Sequence, residues 1–465
     1  MGRRDRRPTL GPTEPVAQFL LLRQHCGASS NNGAGMTEAQ TPKDAKAVES
    51  RNYQLIFWSG ALATIGGQLV NPRLVLPFLY LALGAPTFVA GLLLPFVTGA
   101  RLIAEIFVSP FVNHVTRAKL AVYVPNILTG AILAVVALFA TNLTQVMVVL
   151  LFLLTAIIMG LCQGINSLGT SQIYGTSVPE SKRNRMVFAQ ATISGVLAII
   201  VVWVTKDLLA SDQPMQRHIV VMWCGVVAMF AAGISFAGVR LFEEEIKRPP
   251  KRVEKPKPLA ELATGFRTGM AYPWYRKFLL ARVLFISVEL AMPFYTIHAA
   301  TYHIGTEHSL SYFVIGASAG IVIGSIMWGW LSGRVSVKHV MWLGCLTSAL
   351  SAIMALVFTM TGHASNVWIY AAVILLLSLG GNGVIYGRYL YVIEMTQEQE
   401  RSYLVALGDV TAGLVGIAFA AVLGAVAHLH DPVTPIIALA ILNVVAMLYA
   451  FRLPATGTGA ETVAH

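Results

Sequence analysis

Gln68-Leu69-Val70-Asn71-Pro72-Arg73-Leu74-Val75-Leu76 is the stretch whose reading decides the fold of this chain. It lies inside an apolar run long enough to cross a bilayer, yet carries a proline, an amide and a full charge at mid-depth. Proline removes one backbone hydrogen bond, and its ring collides with the preceding turn. A guanidinium at the centre of a membrane helix costs about 2.5–3.5 kcal/mol on insertion scales unless it is paired or faces water. Irregular backbone at that depth must therefore be buried in protein or line a wet cavity. The chain later reads Glu289-Leu290-Ala291-Met292-Pro293-Phe294-Tyr295, so Pro293 answers Pro72 at an offset of 221 residues. At the same offset Glu289 answers Gln68 and Gly305 answers Gly84. Interrupted helices at matching places in two halves of a chain point to a solute site between the halves. Pro72 and Pro293 are the expected helix breaks.

Composition agrees with a membrane protein. Of the 465 residues 56% are hydrophobic and 12% charged, against about 25% charged in a soluble domain. The apolar runs are continuous rather than alternating, which selects helices over a barrel. The formal charge of +11 could indicate nucleic acid, but the basic residues gather in alternate loops, as orientation in a membrane requires. The four cysteines, Cys26, Cys162, Cys224 and Cys345, show no metal-ligand spacing, and the three in apolar segments read as small packing residues.

The hydrophobic pattern divides the chain into a polar N-terminal tail expected to be disordered (1–50), six spans within 51–241, a charged connector (242–275), six more within 276–455, and a short tail (456–465). Met36 offers a second plausible start. The spans are expected at roughly 53–82, 86–108, 120–140, 145–174, 186–205 and 218–241, then 276–302, 311–331, 338–360, 366–393, 402–427 and 433–453. The connector and the loops after spans 2, 4, 8 and 10 hold seventeen Lys/Arg, whereas the opposite loops hold Lys206 and Arg217. Both termini are therefore expected in the cytoplasm. Further repeats fall at nearly the same offset: Phe88-Val89 with Phe313-Val314, Gln163-Gly164 with Asn382-Gly383, and Gly195 with Gly413. The chain reads as a six-helix unit written twice.

This arrangement resembles the major facilitator superfamily over residues 50–455. That family's loop after span 2, G-x-L-x-D-R-x-G-R-K, is degraded here to Ser109–Lys119 and, after span 8, to Gly329–Lys338. Asn113 and Gly333 stand where the family has aspartate. Drug–proton antiporters of the family show R-x-x-Q-G in span 4 and a Gly-Pro run in span 5; this chain keeps Gln163-Gly164 but lacks the arginine and the Gly-Pro. The resemblance implies an all-α polytopic protein of twelve transmembrane helices in two pseudo-symmetric bundles, with a midplane site lined by spans 1, 4, 7 and 10. It also places the cytoplasmic ends of spans 2 and 11 together.

Several residues are candidates for chemistry. Arg73 would attract a carboxylate or phosphate, since a guanidinium suits bidentate recognition; the alternatives are a structural ion pair with Glu289 and a side chain snorkelling towards the outer face. Asn71, Gln68, Gln163, Asn166, Asn382, Tyr386 and Tyr295 are candidate substrate-path residues, Gln163, Asn166, Thr170 and Tyr174 forming one polar stripe down span 4. Interhelical hydrogen bonds are the competing explanation for each. Glu289 is the candidate proton-coupling group, with His298 as a relay, because an isolated carboxylate at that depth must neutralise or find a partner. Arg101 and Glu105 share a helix face at i,i+4, and with Arg388 and Asp409 they form a candidate cytoplasmic gate, static interfacial pairing being the alternative. His303, His308, His363, His428 and His430 read as solvated loop residues rather than metal ligands. Trp58, Trp203, Trp274 and Trp368 read as an interfacial belt.

These features predict a secondary transporter moving a small organic solute, with a lean to an anionic one, by alternating access. Proton coupling is expected, and export is favoured over uptake on resemblance. The rival is a non-transporting assembly factor that keeps the fold. No nucleophile–base pair appears and no G-x-x-x-x-G-K-[ST] loop exists, so neither an enzyme nor an ATP-driven pump is expected. Expected partners are the solute, protons and a lipid bilayer, with no cofactor, no metal and no nucleic acid. A monomer in a bacterial inner (plasma) membrane is expected.

Overall fold

Helices occupy every expected span in the computed structural model, which describes residues 42–108, 115–177, 180–208, 214–240, 263, 266–267, 269–306, 308–332, 334–396 and 398–455. The chain divides into the units Met1–Val48 and Glu49–His465, and nearly all of the first lies outside the described residues. So do most of the connector, the C-terminal tail, Met36, Asn113, Gly333 and the side chain of Tyr174. Span 1 is Pro42–Leu69 followed by Val75–Ala82; spans 2 to 6 are Thr87–Val108, Val115–Phe139, Gln145–Ser177, Glu180–Leu208 and Pro214–Ala237. Span 7 is Pro273–Leu284 followed by Ile286–His303; spans 8 to 12 are Ser309–Ser332, Val337–Met360, Val367–Met395, Glu398–Leu429 and Val433–Phe451. Ten of these spans are long and apolar enough to cross a membrane. The other two are span 1, divided by its break, and span 5, whose apolar part is the shorter Ala189–Thr205.

Span 1 breaks where Asn71-Pro72 requires it. Asn71 Oδ1 accepts the backbone N–H of Arg73 at 2.9 Å, and Asn71 O accepts Val75 N at 2.8 Å. The amide thus restarts a helix that the proline could not continue. Span 7 behaves differently from expectation. Its interruption lies at Phe285, and Pro293 sits inside an unbroken helix from Ile286 to His303. The loss of one donor is tolerated there because the helix is buried on nearly all sides and its neighbours hold it in place.

The two halves pair their helices in the same way. Span 2 packs on 4 and 8 on 10, span 3 on 4 and 9 on 10, span 3 on 6 and 9 on 12. Across the halves, span 2 meets 11 and span 5 meets 8. Lys119 Nζ donates to Val239 O at 2.6 Å at the end of span 6, and Lys338 Nζ donates to Leu453 O at 3.4 Å at the end of span 12. The same lysine therefore caps the same helix end in each half, where the dipole favours a cation.

The core is distributed unevenly along the membrane normal. Towards the ends of spans 1 and 7 one continuous apolar core joins the halves, including Leu74, Phe78, Phe294, Phe313, Tyr370 and Leu423. There Gly91 and Gly424 bring spans 2 and 11 so close that a Cβ on Gly91 would stand 2.9 Å from the Gly424 Cα. Towards the opposite side the halves keep separate cores, one around Ile56, Ile173 and Phe236, the other around Tyr275, Phe278, Phe285 and Tyr391. A cavity lies between them. Trp58, Trp203 and Trp368 are exposed on the outer surface, but Trp274 is buried against Tyr275 and Tyr391. It is a core residue and not part of a belt.

Candidate functional site

The broken spans and their neighbours enclose a cavity of about 130 Å³ lined by Pro72 and Arg73 of span 1, Arg101 and Glu105 of span 2, and Gln163 of span 4. From the second half come Arg282 and Glu289 of span 7, Arg388 of span 10 and Asp409 of span 11. Accessibility falls inward: the Arg101 side chain is 47% exposed and that of Arg282 only 5%. The cavity is thus entered from the side on which span 2 ends and span 11 begins.

Its charges form two neutral groups and a remainder. Arg101 Nε donates to Glu105 Oε1 at 2.8 Å within span 2. In the second half Arg282 grips Glu289 in a fork, Nη1 to Oε1 at 3.0 Å and Nη2 to Oε2 at 3.4 Å, and Nη2 also donates to Asp409 Oδ1 at 3.3 Å. Arg388 Nη1 donates to Asp409 Oδ1 at 2.9 Å and lies 3.4 Å from Glu289 Oε1. Two guanidiniums and two carboxylates so linked satisfy one another in a low dielectric, where either sign alone would be costly. Arg73 is the remainder. Its backbone carbonyl accepts Thr296 Oγ1 at 3.3 Å, but among the described residues its guanidinium has no ion pair. The ion pair with Glu289 considered from sequence is not formed, because Arg282 and Arg388 occupy both carboxylate oxygens.

Arg282 escaped sequence reasoning. It lies seven residues, two turns, before Glu289 on the same helix face, and an arginine at that spacing inside a span was the available signal. The other candidates disperse. Gln68 is buried and accepts Ser318 Oγ at 3.0 Å across the halves, and Asn71 is spent on the helix restart. Asn166 and Thr170 turn from the charged cavity into a separate chamber with Asn126 and Gln190, so the span-4 stripe divides after Gln163. Asn382, Tyr386 and Tyr295 do not line the charged cavity; Tyr295 is wholly buried. His298 does not reach it either, its Nδ1 lying 2.7 Å from the Tyr370 hydroxyl in the apolar core. His303, read as a solvated loop residue, is fully buried, with Nε2 2.8 Å from Ala364 O. Among the described residues no three His, Cys, Asp or Glu side chains converge as metal ligands would.

A family model described as Major Facilitator Superfamily matches residues 278–464. The nucleoside transporter NupG superposes with a TM-score of 0.59 over 87% of this chain and 98% of its own, at 13% identity. A bacterial metal transporter gives 0.53 over 87% and 98%, at 15% identity. The superfamily model thus matches only the C-terminal half, while the two solved structures share the fold over nearly the whole chain. Uncharacterized proteins of Mycobacterium tuberculosis (Rv2209) and Mycobacterium bovis (Mb2232) are each 26% identical over 406 residues, 87% of this chain and 77% of theirs. Ten membrane-length apolar helices among the described residues, with the family match, support an integral membrane protein.

Proposed function

We propose that this superfamily protein carries a small organic solute bearing a single negative charge across the membrane by alternating access. One observation carries the reading: four arginines and three carboxylates line the cavity, and Arg73, at the span-1 break, is the cation without an ion pair among the described residues. An anion reaching Arg73 would complete the charge balance at a guanidinium whose backbone is already fixed by Asn71 and Thr296. A metal cation, the cargo named for one structural neighbour, is disfavoured by the same excess charge. A non-transporting scaffold would have no use for an unpaired guanidinium at this depth.

The moving bodies in this reading are the two six-helix bundles, 51–241 and 276–455. Arg101, Glu105, Arg388 and Asp409 are the gate on the open side, which the loop charges assign to the cytoplasm. Here each gate pair stays within its own half, as an open gate requires; closure would bring Arg101 of span 2 towards Asp409 of span 11. Glu289 is the proton-coupling group, since its protonation would free two arginines at once. Transport direction is then set by the gradient, and export is the direction that resemblance favours.

The test is a screen of organic acids against purified protein by thermal shift, followed by uptake into proteoliposomes. A monocarboxylate or monophosphate that stabilises the native protein should lose that effect in Arg73→Ala, while an uncharged analogue is affected little. Equal losses for both would make Arg73 structural and remove the anionic reading.

A further inference from the structure

The N-terminal half contains a second polar chamber that shares no lining residue with the charged cavity. Its volume is about 200 Å³, and Ser59, Thr64, Asn126, Asn166, Thr170 and Gln190 supply its polar wall from spans 1, 3, 4 and 5. Among the described residues no ionisable side chain lines it. We infer that this chamber is a binding site for a small uncharged solute offering both a hydrogen-bond acceptor and a donor, of the amide or polyol class.

The first support is a hydrogen-bond chain that ends on an open donor. Thr170 Oγ1 donates to Asn166 Oδ1 at 3.2 Å, and Asn166 Nδ2 donates to Asn126 Oδ1 at 3.1 Å. Asn126 is 4% exposed, and its Nδ2 has no acceptor among the described residues. Flipping both amides would merely exchange an open donor for an open acceptor at the same place, so the need for a partner stays. A buried amide group left without one costs about 1–3 kcal/mol, which an occupant with a carbonyl or hydroxyl oxygen would relieve. Among the described lining residues an N–H donor with no carboxylate beside it turns a cation away, and no cationic side chain compensates an anion.

The second support is independent and comes from the repeat. The offsets of 221, 219, 219 and 218 set by Pro72/Pro293, Lys119/Lys338, Gln163/Asn382 and Gly195/Gly413 place Phe285, Cys345, Ile385 and Gly408 opposite Thr64, Asn126, Asn166 and Gln190. In the C-terminal half Phe285 and Cys345 are fully buried in an aromatic core with Tyr275, Phe278 and Tyr391. At the positions of Thr64 and Asn126 the C-terminal half is therefore packed with apolar side chains, whereas Gly408, opposite Gln190, borders a small cavity with Arg388 and Asp409. At the Thr64 and Asn126 positions a helix bundle can be closed by apolar packing, as its own second copy is. The N-terminal half instead keeps a polar volume of several water molecules' size, which suits a hydrated or ligand-filled site.

The experiment uses the full chain in lipid nanodiscs, with acetamide as the neutral probe and acetate as its charged counterpart of similar size. Acetamide should raise the unfolding temperature and give saturation-transfer NMR contacts, both saturating at millimolar concentration, while acetate does neither. Thr64→Phe, which copies the counterpart Phe285, and Asn126→Leu should each abolish the saturable effect and leave Arg73-dependent anion binding unchanged. Should Thr64→Phe not fold, Asn126→Leu decides alone. A response to acetamide that never saturates, that survives in the variants, or that acetate matches would overturn the assignment and leave a chamber for water only.

Discussion

At the scale of single residues, the site is a contest over how many charges a low-dielectric cavity can hold. Arg282 is almost wholly buried, and three other charged groups stand around it. Removing one member of a buried pair leaves its partner uncompensated, at a cost of about 3–5 kcal/mol, whereas removing both together can be close to neutral. Arg282→Gln should therefore lower the unfolding temperature clearly. The double variant Arg282→Gln/Glu289→Gln should recover much of the loss, and a thermodynamic cycle showing simple additivity would contradict the coupled network. Glu289→Gln alone should be milder, because Arg282 and Arg388 both keep Asp409. In proteoliposomes that variant should lose uptake driven by a pH gradient and keep solute exchange at fixed pH. Undiminished gradient-driven uptake would take Glu289 out of the coupling step.

At the scale of elements, the two prolines have different work. Pro72 follows an asparagine that restarts the helix, so the break of span 1 is built by two adjacent side chains. Asn71→Ala removes the acceptor for Arg73 N–H and should cost about 1 kcal/mol, the usual worth of a side chain that caps a helix start. It should also weaken anion binding, since the backbone carrying Arg73 is loosened; binding that stays unchanged would separate the cap from the site. Pro293 lies in a continuous helix, so Pro293→Ala restores a donor and should leave the unfolding temperature equal or higher. A marked fall would show that the proline shapes the helix after all.

At the scale of the whole molecule, the continuous core and the Gly91–Gly424 approach seal one side, while separate cores leave the other open. Gly91→Val puts branched methyls against span 11, where a single Cβ already meets backbone at 2.9 Å. It should prevent closure on that side and hold the molecule in the opposite state. Distances between spin labels at the ends of spans 2 and 11 should lengthen on the Gly91 side, and transport should stop while the protein still folds. Unchanged distances with full transport would mean that the sealing contact lies elsewhere.

How much of this was legible in the sequence depends on the range of the interaction concerned. Twelve apolar runs, the repeat, and the Asn-Pro break are local: each follows from a solvent that forbids unpaired backbone and from one proline ring, so the residues themselves determined them. Arg73, Glu289, Arg101, Arg388 and Asp409 stood out because charge inside a span is costly wherever it goes. Which charge meets which was not local. Arg282 takes Glu289 from Arg73, Asn166 turns from the charged cavity to Asn126, and Pro293 keeps its helix, all because neighbouring spans fill or leave space around them. Sequence determined the helices, their doubling and the presence of buried charge. Only the packing of the halves decided the pairing, since an ion pair or a cavity is fixed by distances between residues far apart in the chain.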